Sequence, residues 1–222
     1  NQDTVKALLG DGVDYAVQPS MTGTAGAVKA AATTLQGQAD QVVVIGGDAP
    51  LVTDDSVRRL LDGHLEEGRK MSIMSGIVQT SAGLGRVKRD LGSQQNVLGI
   101  VEATDDTERD GQSVEVNSGV YCFQADWLWE NLEKVDVSSN GESYLTDLAA
   151  VAAELGASVA ALTSNDPDEV LGINNRVELA HLEDIQRRRI RERWMLSGVT
   201  ITDPSSVMID GGVTIGQDTV IL

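Results

Sequence analysis

Cysteine, aromatic residues and positive charge are all scarce in this chain of 222 residues. The single cysteine, Cys122, excludes a disulfide framework and a thiolate zinc cluster. Aromatic residues make up only 3%, so the core must come from Val, Ile, Leu and Ala. No apolar run approaches the roughly 18–20 residues that a membrane helix needs. The opening, NQDTVKALLG, lacks the charged-then-apolar pattern of a secretory signal. Lys and Arg number 17 against 34 Asp and Glu, a net charge of −17. Such a surface repels phosphate backbones and anionic membranes, so neither nucleic acid nor membrane is an expected partner. The expected setting is the reducing cytoplasm.

What is present suits an ordinary globular protein: 41% hydrophobic and 23% charged residues, with 23 glycines. Val5–Leu9 reads as the end of a helix closed by Gly10 and Gly12, followed by a short strand at Val13–Val17. Val28, Ala31, Ala32 and Leu35 fall at helical spacing. The run Gln41–Ile45, ended by glycines, reads as a strand buried on both faces of a parallel sheet. Thr53-Asp54-Asp55-Ser56 caps a helix with Val57, Leu60 and Leu61 inward, and Met71–Gln79 is the next strand. This alternation indicates an α/β domain. Shorter strands around residues 86–89, 97–102 and 116–123 indicate a mixed or antiparallel insert. A helix over Tyr144–Leu155 and a strand over Ala157–Leu162 follow. A long polar helix then runs from Asn174 to about Leu196, with Leu179, Leu182 and Ile185 on its inner side. After Gly198, Val199-Thr200-Ile201 and Val213–Ile221 recur with short turns between them, and the second reads as a hexapeptide-type unit of a β-helix. Such a coil needs neighbours to bury its faces.

Several short clusters could carry chemistry. Asp48 ends the valine-rich strand, where open α/β sheets bind ligands. It is either a helix-capping carboxylate or a ligand of Mg²⁺, which takes one or two protein oxygens plus phosphates and water. The loop Gln18 to Gly26 precedes a helix; it is either a well-capped turn or a cradle for an anion or base edge. Asn117-Ser118-Gly119 and Gly172–Arg176 end elements with amides that can cap a helix, ligate a metal or bond a sugar. Other candidates have ordinary readings. His64 is a packing or surface residue, His181 has no spaced metal partner, and Cys122 is an inert core thiol. Asp105, Asp106, Glu108 and Asp110 form a solvated acidic loop. Arg187, Arg188, Arg189, Arg191 and Arg193 pair with local acids or a partner subunit, and Trp127 and Trp129 pack a helix on the sheet.

The order of the pieces says more than any one of them. Gln18 with Gly23-Thr24 comes first, then Gly47-Asp48-Ala49-Pro50-Leu51, then Gly83-Leu84-Gly85-Arg86. Gly99-Ile100-Val101-Glu102 and Asn117-Ser118-Gly119 follow. Gly141–Asp147 and Gly172–Arg176 complete the series. From about Val13 to Leu222 this closely resembles the bacterial N-acetylglucosamine-1-phosphate uridyltransferases, bifunctional enzymes that make UDP-N-acetylglucosamine. The resemblance implies an α/β, Rossmann-like nucleotidyltransferase fold (GT-A-like) with a mixed sheet over residues 1–197. It also implies the start of a left-handed parallel β-helix over 198–222. Gln18, Gly23 and Thr24 are expected to read uracil. Gly85, Glu102, Asn117 and Thr146 are expected to contact the N-acetylglucosamine, with Tyr144 beside them. Asp48 and Asn174 are expected to hold the catalytic Mg²⁺, and Asn174 to face the substrates as well.

The implied substrates are UTP and N-acetylglucosamine 1-phosphate, and the products UDP-N-acetylglucosamine and pyrophosphate. The sugar phosphate is already an anion, so no general base is required, and no catalytic residue is assigned beyond the metal ligands. Two departures stand out. The family's glycine-rich phosphate loop, LAAG-x-GTRM, and its lysine have no counterpart here, and Lys6 does not match them. Only one rung of the acetyltransferase β-helix is present, so no acetyl-CoA residues can be assigned. The chain as given is therefore expected to be inactive or severely impaired and not to form a clean trimer, although the parent family implies a homotrimer. The alternatives are another sugar-1-phosphate nucleotidyltransferase, or a non-catalytic regulatory subunit that binds a nucleotide sugar.

Overall fold

The computed structural model describes residues 2–79, 83–90, 93–102, 113–139 and 141–222, without the side chains of 93–95. The acidic loop of Asp105 to Asp110 lies outside the described residues. In chain order the elements are α1 (Gln2–Leu9), α2 (Gly23–Leu35), β1 (Gln41–Ile45), α3 (Asp54–Glu66), β2 (Met71–Val78), β3 (Arg86–Asp90) and β4 (Ser93–Val101). Then come β5 (Val114–Gln124), α4 (Ala125–Asn131), α5 (Leu148–Glu154), β6 (Val159–Thr163), α6 (Arg176–Leu196), β7 (Thr200–Ile201) and β8 (Val220–Ile221).

Six strands form one mixed sheet in the order β1-β5-β2-β6-β4-β3. The parallel ladder runs between β2 and β6, and β5 pairs antiparallel with both β1 and β2. Strand β5 is the spine. Val116, Val120, Cys122 and Phe123 are all 0% exposed, and its two faces meet different clusters. One cluster holds Tyr121, Phe123, Leu128, Leu145, Leu148 and Trp127, with Trp129 packed against it. The other holds Leu60, Met74, Val120 and Cys122. Each such buried aliphatic or aromatic side chain contributes roughly 1.5–3 kcal/mol. Burial pushes the Cys122 thiol up to about 11, in keeping with an inert core residue.

Four expectations need correction. Strand β1 is not buried on both faces of a parallel sheet. It is an edge strand, antiparallel to β5, and Val43 and Ile45 are exposed at 36% and 48%. Val13–Val17 forms no strand; no described segment pairs with it, and both valines stand exposed. On α6, Leu182, Ile185 and Ile190 are buried but Leu179 is exposed. The apolar cluster beneath the helix consists of Leu51, Leu182 and Ile185, backed by Leu171 and Ile173, so the first turn overhangs it. The helix is capped by Asn175 rather than Asn174. Val177 N and Glu178 N donate to Asn175 Oδ1 at 2.9 and 3.0 Å.

Past α6, β7 and β8 pair in parallel, with Thr200 opposite Val220, so the chain completes one circuit in about 20 residues. Val199, Ile201 and Ile209 fill its interior together with Ile190 of α6. Arginines of α6 pair as expected with nearby acids, Arg189 with Asp166 at 2.7 Å and Arg188 with Asp168 at 3.3 Å. No described helix is long and apolar enough to cross a membrane.

Candidate active site

The loop before α2 is tied to the loop before α5 by backbone bonds. Ala25 N donates to Ser143 O at 3.0 Å, and Ser143 N donates to Thr22 O at 2.9 Å. Leu145 N donates to Thr24 Oγ1 at 2.9 Å. This closeness requires Gly23. Its φ is +87°, and a Cβ there would lie 2.8 Å from Ser143 N and closer still to Ser143 O. Gln18 folds back onto this loop, its Nε2 donating to Thr22 Oγ1 at 3.1 Å and to Gly23 O at 3.2 Å. A carbonyl can only accept, so the amide nitrogen faces inward and Oε1 is left to face away.

The same 141–147 loop leads into a second group. Thr146 is buried, and its hydroxyl donates to Glu102 Oε1 at 2.7 Å from the end of β4. Gly85 backs onto this carboxylate: a Cβ there would meet Ile100 at 2.8 Å and Glu102 Oε2 at 3.5 Å. Gly85 O accepts from Asn117 N at 2.8 Å, which brings β5 alongside. The Asn117 amide is held at both ends, Oδ1 accepting from Gly119 N at 3.1 Å and Nδ2 donating to Tyr121 Oη at 2.7 Å. Asp147 closes the group. Burial first, then the charges of Glu102 and Asp136, push its carboxyl above the usual range. Tyr144 lies half-buried in the connecting loop.

Asp48 sits on the exposed turn after β1. Gly46 N donates to Gly119 O at 3.3 Å, which holds this turn against β5. Ile173 N donates to Asp48 O at 3.1 Å, and a Cβ on Gly172 would lie 3.8 Å from Asp48 Oδ2. Gly172 and Ile173, which lead into Asn174, therefore pack their backbone against Asp48. Asn174 is exposed, and both its backbone N–H (2.6 Å) and its side chain bond Glu178. Glu169, only 2% exposed, ties the start of α3, which follows the Asp48 turn, to the end of β6. Its carboxylate accepts from Thr53 N at 3.0 Å, Thr53 Oγ1 at 2.5 Å, Ser56 Oγ at 2.6 Å and the Ser164 hydroxyl. Burial alone would raise the Glu169 carboxyl, but these four bonds outweigh it and lower it.

The ten residues expected from sequence to meet substrate or metal fall into three groups: Gln18, Gly23 and Thr24; Gly85, Glu102, Asn117, Tyr144 and Thr146; Asp48 and Asn174. Tyr121 joins the second and third, since its buried phenol feels the charges of both Glu102 and Asp48. Sequence reading missed Tyr121, Asp147 and Glu169. Tyr121 was detectable in principle, because it follows Gly119 at the strand period of two and so shares a face with Asn117. Asp147 ends a motif already noted. Glu169 had no sequence signal, because its partners come from distant segments. Among the described residues no group of three or more His, Cys, Asp or Glu could hold a metal alone. Asp48 and Asn174 each carry an oxygen of the kind that a hard cation takes alongside phosphate and water.

Comparison with known proteins fits this geometry. The model of the family described as "Nucleotidyl transferase" matches residues 2–178. "Bifunctional protein GlmU" of Geobacillus sp. (strain WCH70) is 40% identical over 220 residues, 99% of this chain and 48% of the relative. The protein of the same name from Caldanaerobacter subterraneus subsp. tengcongensis is 39% identical over 222 residues, 100% of this chain and 48% of the relative. That from Clostridioides difficile (strain 630) is 38% identical over 220 residues, 99% and 47%. The chain spans about half the length of the curated relatives it matches. A mixed α/β sheet with the candidate residues gathered around its loops accords with the family match over most of the sequence, and the chain belongs to the nucleotidyl transferase family.

Proposed function

We propose that this chain carries the uridylyl-transfer site of a two-activity protein that makes UDP-N-acetylglucosamine from UTP and N-acetylglucosamine 1-phosphate. The observation that carries the reading is the stitching of the Gln18–Thr24 loop to the Ser143–Thr146 loop, with Thr146 then reaching Glu102. A base reader and a sugar pocket fixed to one another are what a nucleoside diphosphate sugar requires. Gln18 Oε1, facing away from its own loop, is an acceptor for the ring N–H of uracil. Glu102 is an acceptor for sugar hydroxyls, and Asn117 Nδ2 keeps one N–H to donate.

In the proposed reaction an oxygen of the sugar phosphate bonds to the α-phosphorus of UTP. The bond from that phosphorus to the bridging oxygen breaks, and pyrophosphate leaves with the electron pair. The nucleophile arrives ionised, so the protein's task is to align two anions rather than to move a proton. Asp48 and Asn174 would hold Mg²⁺ between them, and the ion would neutralise charge on the phosphates. Asp48 stays beside Asn174 because Ile173 N–H is bonded to its carbonyl. The division at residue 197, a left-handed β-helix beginning at 198, the homotrimer, the acetyl transfer from acetyl-CoA and the cytoplasmic setting all belong to this reading. The parallel pairing of β7 with β8 supports the β-helix part.

Titration calorimetry with UDP-N-acetylglucosamine and Mg²⁺, and then with a panel of nucleoside triphosphates, tests the proposal. Binding that Asp48→Ala weakens, with UTP preferred over the other triphosphates, is the expected result. Tighter binding of a guanosine or thymidine diphosphate sugar would move the assignment to another sugar nucleotide.

A further inference from the structure

One buried polar group lies at the junction of the candidate site and has no part in the reaction described above. Tyr121 is 6% exposed, and its ring is tilted 31° against Phe123 at 5.9 Å between centroids. Packing alone would be served equally by phenylalanine at this position. The hydroxyl needs its own explanation, since an apolar site penalises a polar group unless it is bonded.

Its bonding is specific. Gly119 N–H can only donate, so the atom of Asn117 that it meets at 3.1 Å is the amide oxygen. The other end of that amide, Nδ2, must then be the atom 2.7 Å from Tyr121 Oη. The phenol oxygen therefore accepts. Among the described residues no acceptor is assigned to its proton. Burial first, and then the neighbouring charges of Glu102 and Asp48, hold the phenol far above its ordinary range, so it stays protonated. Without Oη the Asn117 side chain keeps only the bond from Gly119 N–H, and its Nδ2 end is no longer held.

We propose that Tyr121 is a positioning residue: its hydroxyl fixes the Asn117 amide so that the second N–H of Nδ2 is presented to the sugar moiety of a nucleoside diphosphate sugar. This rests on the reading of Asn117 as part of the sugar pocket. The uridine part of the ligand is served by the Gln18 loop and does not depend on the phenol. Removing Oη should therefore weaken ligands that carry the sugar and leave those that lack it.

Two measurements on the full chain test this. The first needs no ligand. The side-chain amide signal of Asn117 in an ¹⁵N–¹H spectrum, assigned by its loss in Asn117→Ala, should move in Tyr121→Phe; an unmoved signal overturns the proposal. The second is calorimetry with UDP-N-acetylglucosamine and, separately, UTP. Tyr121→Phe should weaken the first about tenfold, the effect of one hydrogen bond, and leave the second unchanged. In an Asn117→Ala background the same substitution should add nothing, since the phenol acts through the amide. Equal weakening of both ligands would show a general packing effect and overturn the proposal, as would additivity with Asn117→Ala. If wild type binds the sugar nucleotide but Asn117→Ala binds it as tightly, the pocket reading itself fails and this inference with it. A moved amide signal would then remain as evidence only of the bond.

Discussion

The side of the site proposed to take base and sugar and the side proposed to hold the metal are built in opposite ways. On the first, residues 22–25 and 143–145 bond one another directly, and the Asn117 amide is held at both ends. On the second, Asp48 and Asn174 stand exposed on turns linked by the single bond from Ile173 N to Asp48 O, and Glu169 braces the start of the helix that follows. The difference suits the ligands proposed for the two sides. A base and a sugar are recognised by neutral hydrogen bonds, which lose strength if donors wander, so that side is rigid before the ligand arrives. A cation with several phosphate oxygens finds part of its own geometry, so two exposed oxygens suffice.

The largest effect should come from breaking the rigid side. Gly23→Ala places a methyl group against the backbone of Ser143 at a left-handed φ. Neither strand of that contact can retreat without losing its bonds. A stability loss of roughly 2–4 kcal/mol is expected. Urea unfolding would measure it, alongside loss of UDP-N-acetylglucosamine binding. Gly47→Ala is the matched control on the metal side, because a Cβ there meets nothing within 4 Å. A midpoint shift as large for Gly47→Ala as for Gly23→Ala would erase the contrast.

Next in size is the brace that Glu169 gives the start of α3, just after the Asp48 turn. Glu169→Ala leaves the donors of Thr53, Ser56 and Ser164 without their acceptor, at a cost of about 2–3 kcal/mol. Glu169→Gln keeps the shape and should cost less. The carboxyl of Glu169 lies below its ordinary 4.5 in the folded chain. Its contribution is thus present above pH 4.5 and fades as pH falls through the folded value. Acid unfolding curves of wild type and Glu169→Gln should converge below that point and separate above it. Parallel curves at every pH would remove Glu169 from the account.

A smaller effect is expected at His64, which is buried at 1% exposure and joins the two strands below Asp48. One ring nitrogen meets Ser72 at 2.9 Å and the other meets Gln41 at 3.0 Å. Gln41 Oε1 accepts, so Nε2 carries the proton and Nδ1 receives the Ser72 hydroxyl. Burial, helped by the Arg69 charge, holds the imidazole below 6.5. The unfolded chain then takes up a proton that the folded chain refuses, so stability declines as pH drops below 6.5. Hydrogen exchange at pH 7 and pH 5.5 should show β1 amides loosening while residues 22–25 stay protected. His64→Gln should remove that pH dependence; its persistence in the variant would assign it elsewhere.

How far the sequence revealed these two sides differs as well. Helices α3 and α6 announce themselves through Thr53 with Asp54 and Asp55, and through the amides before Arg176, because capping is local chemistry. The cap moved by one residue at Asn175, within the ordinary uncertainty of helix ends. Strand β1 misled for a physical reason. A run of valines states that a segment is apolar but not how many neighbours it has, and here one edge pairs and the other does not. The candidate residues were legible because they cluster in short motifs. Their mutual bonds were not, since Thr146 with Glu102 or Glu169 with Thr53 join segments far apart in the chain. Tyr121 lies between these cases: the strand period placed it on the face of Asn117, yet an apolar run on both sides disguised it as core.

The smallest stability effect should come from the residue expected to matter most for chemistry. Asp48→Asn exchanges one exposed side chain for another of equal size, and the bond that orders its turn uses the backbone carbonyl, not the carboxylate. Its unfolding midpoint should therefore stay within about 0.5 kcal/mol of wild type. Binding should behave oppositely. The variant should lose the Mg²⁺ dependence of UDP-N-acetylglucosamine binding while retaining the affinity seen with the metal chelated. Retained Mg²⁺ dependence would take Asp48 out of the metal site. A large loss of stability would mean that the carboxylate braces the fold, and the metal side would then be as rigid as the side it has been contrasted with.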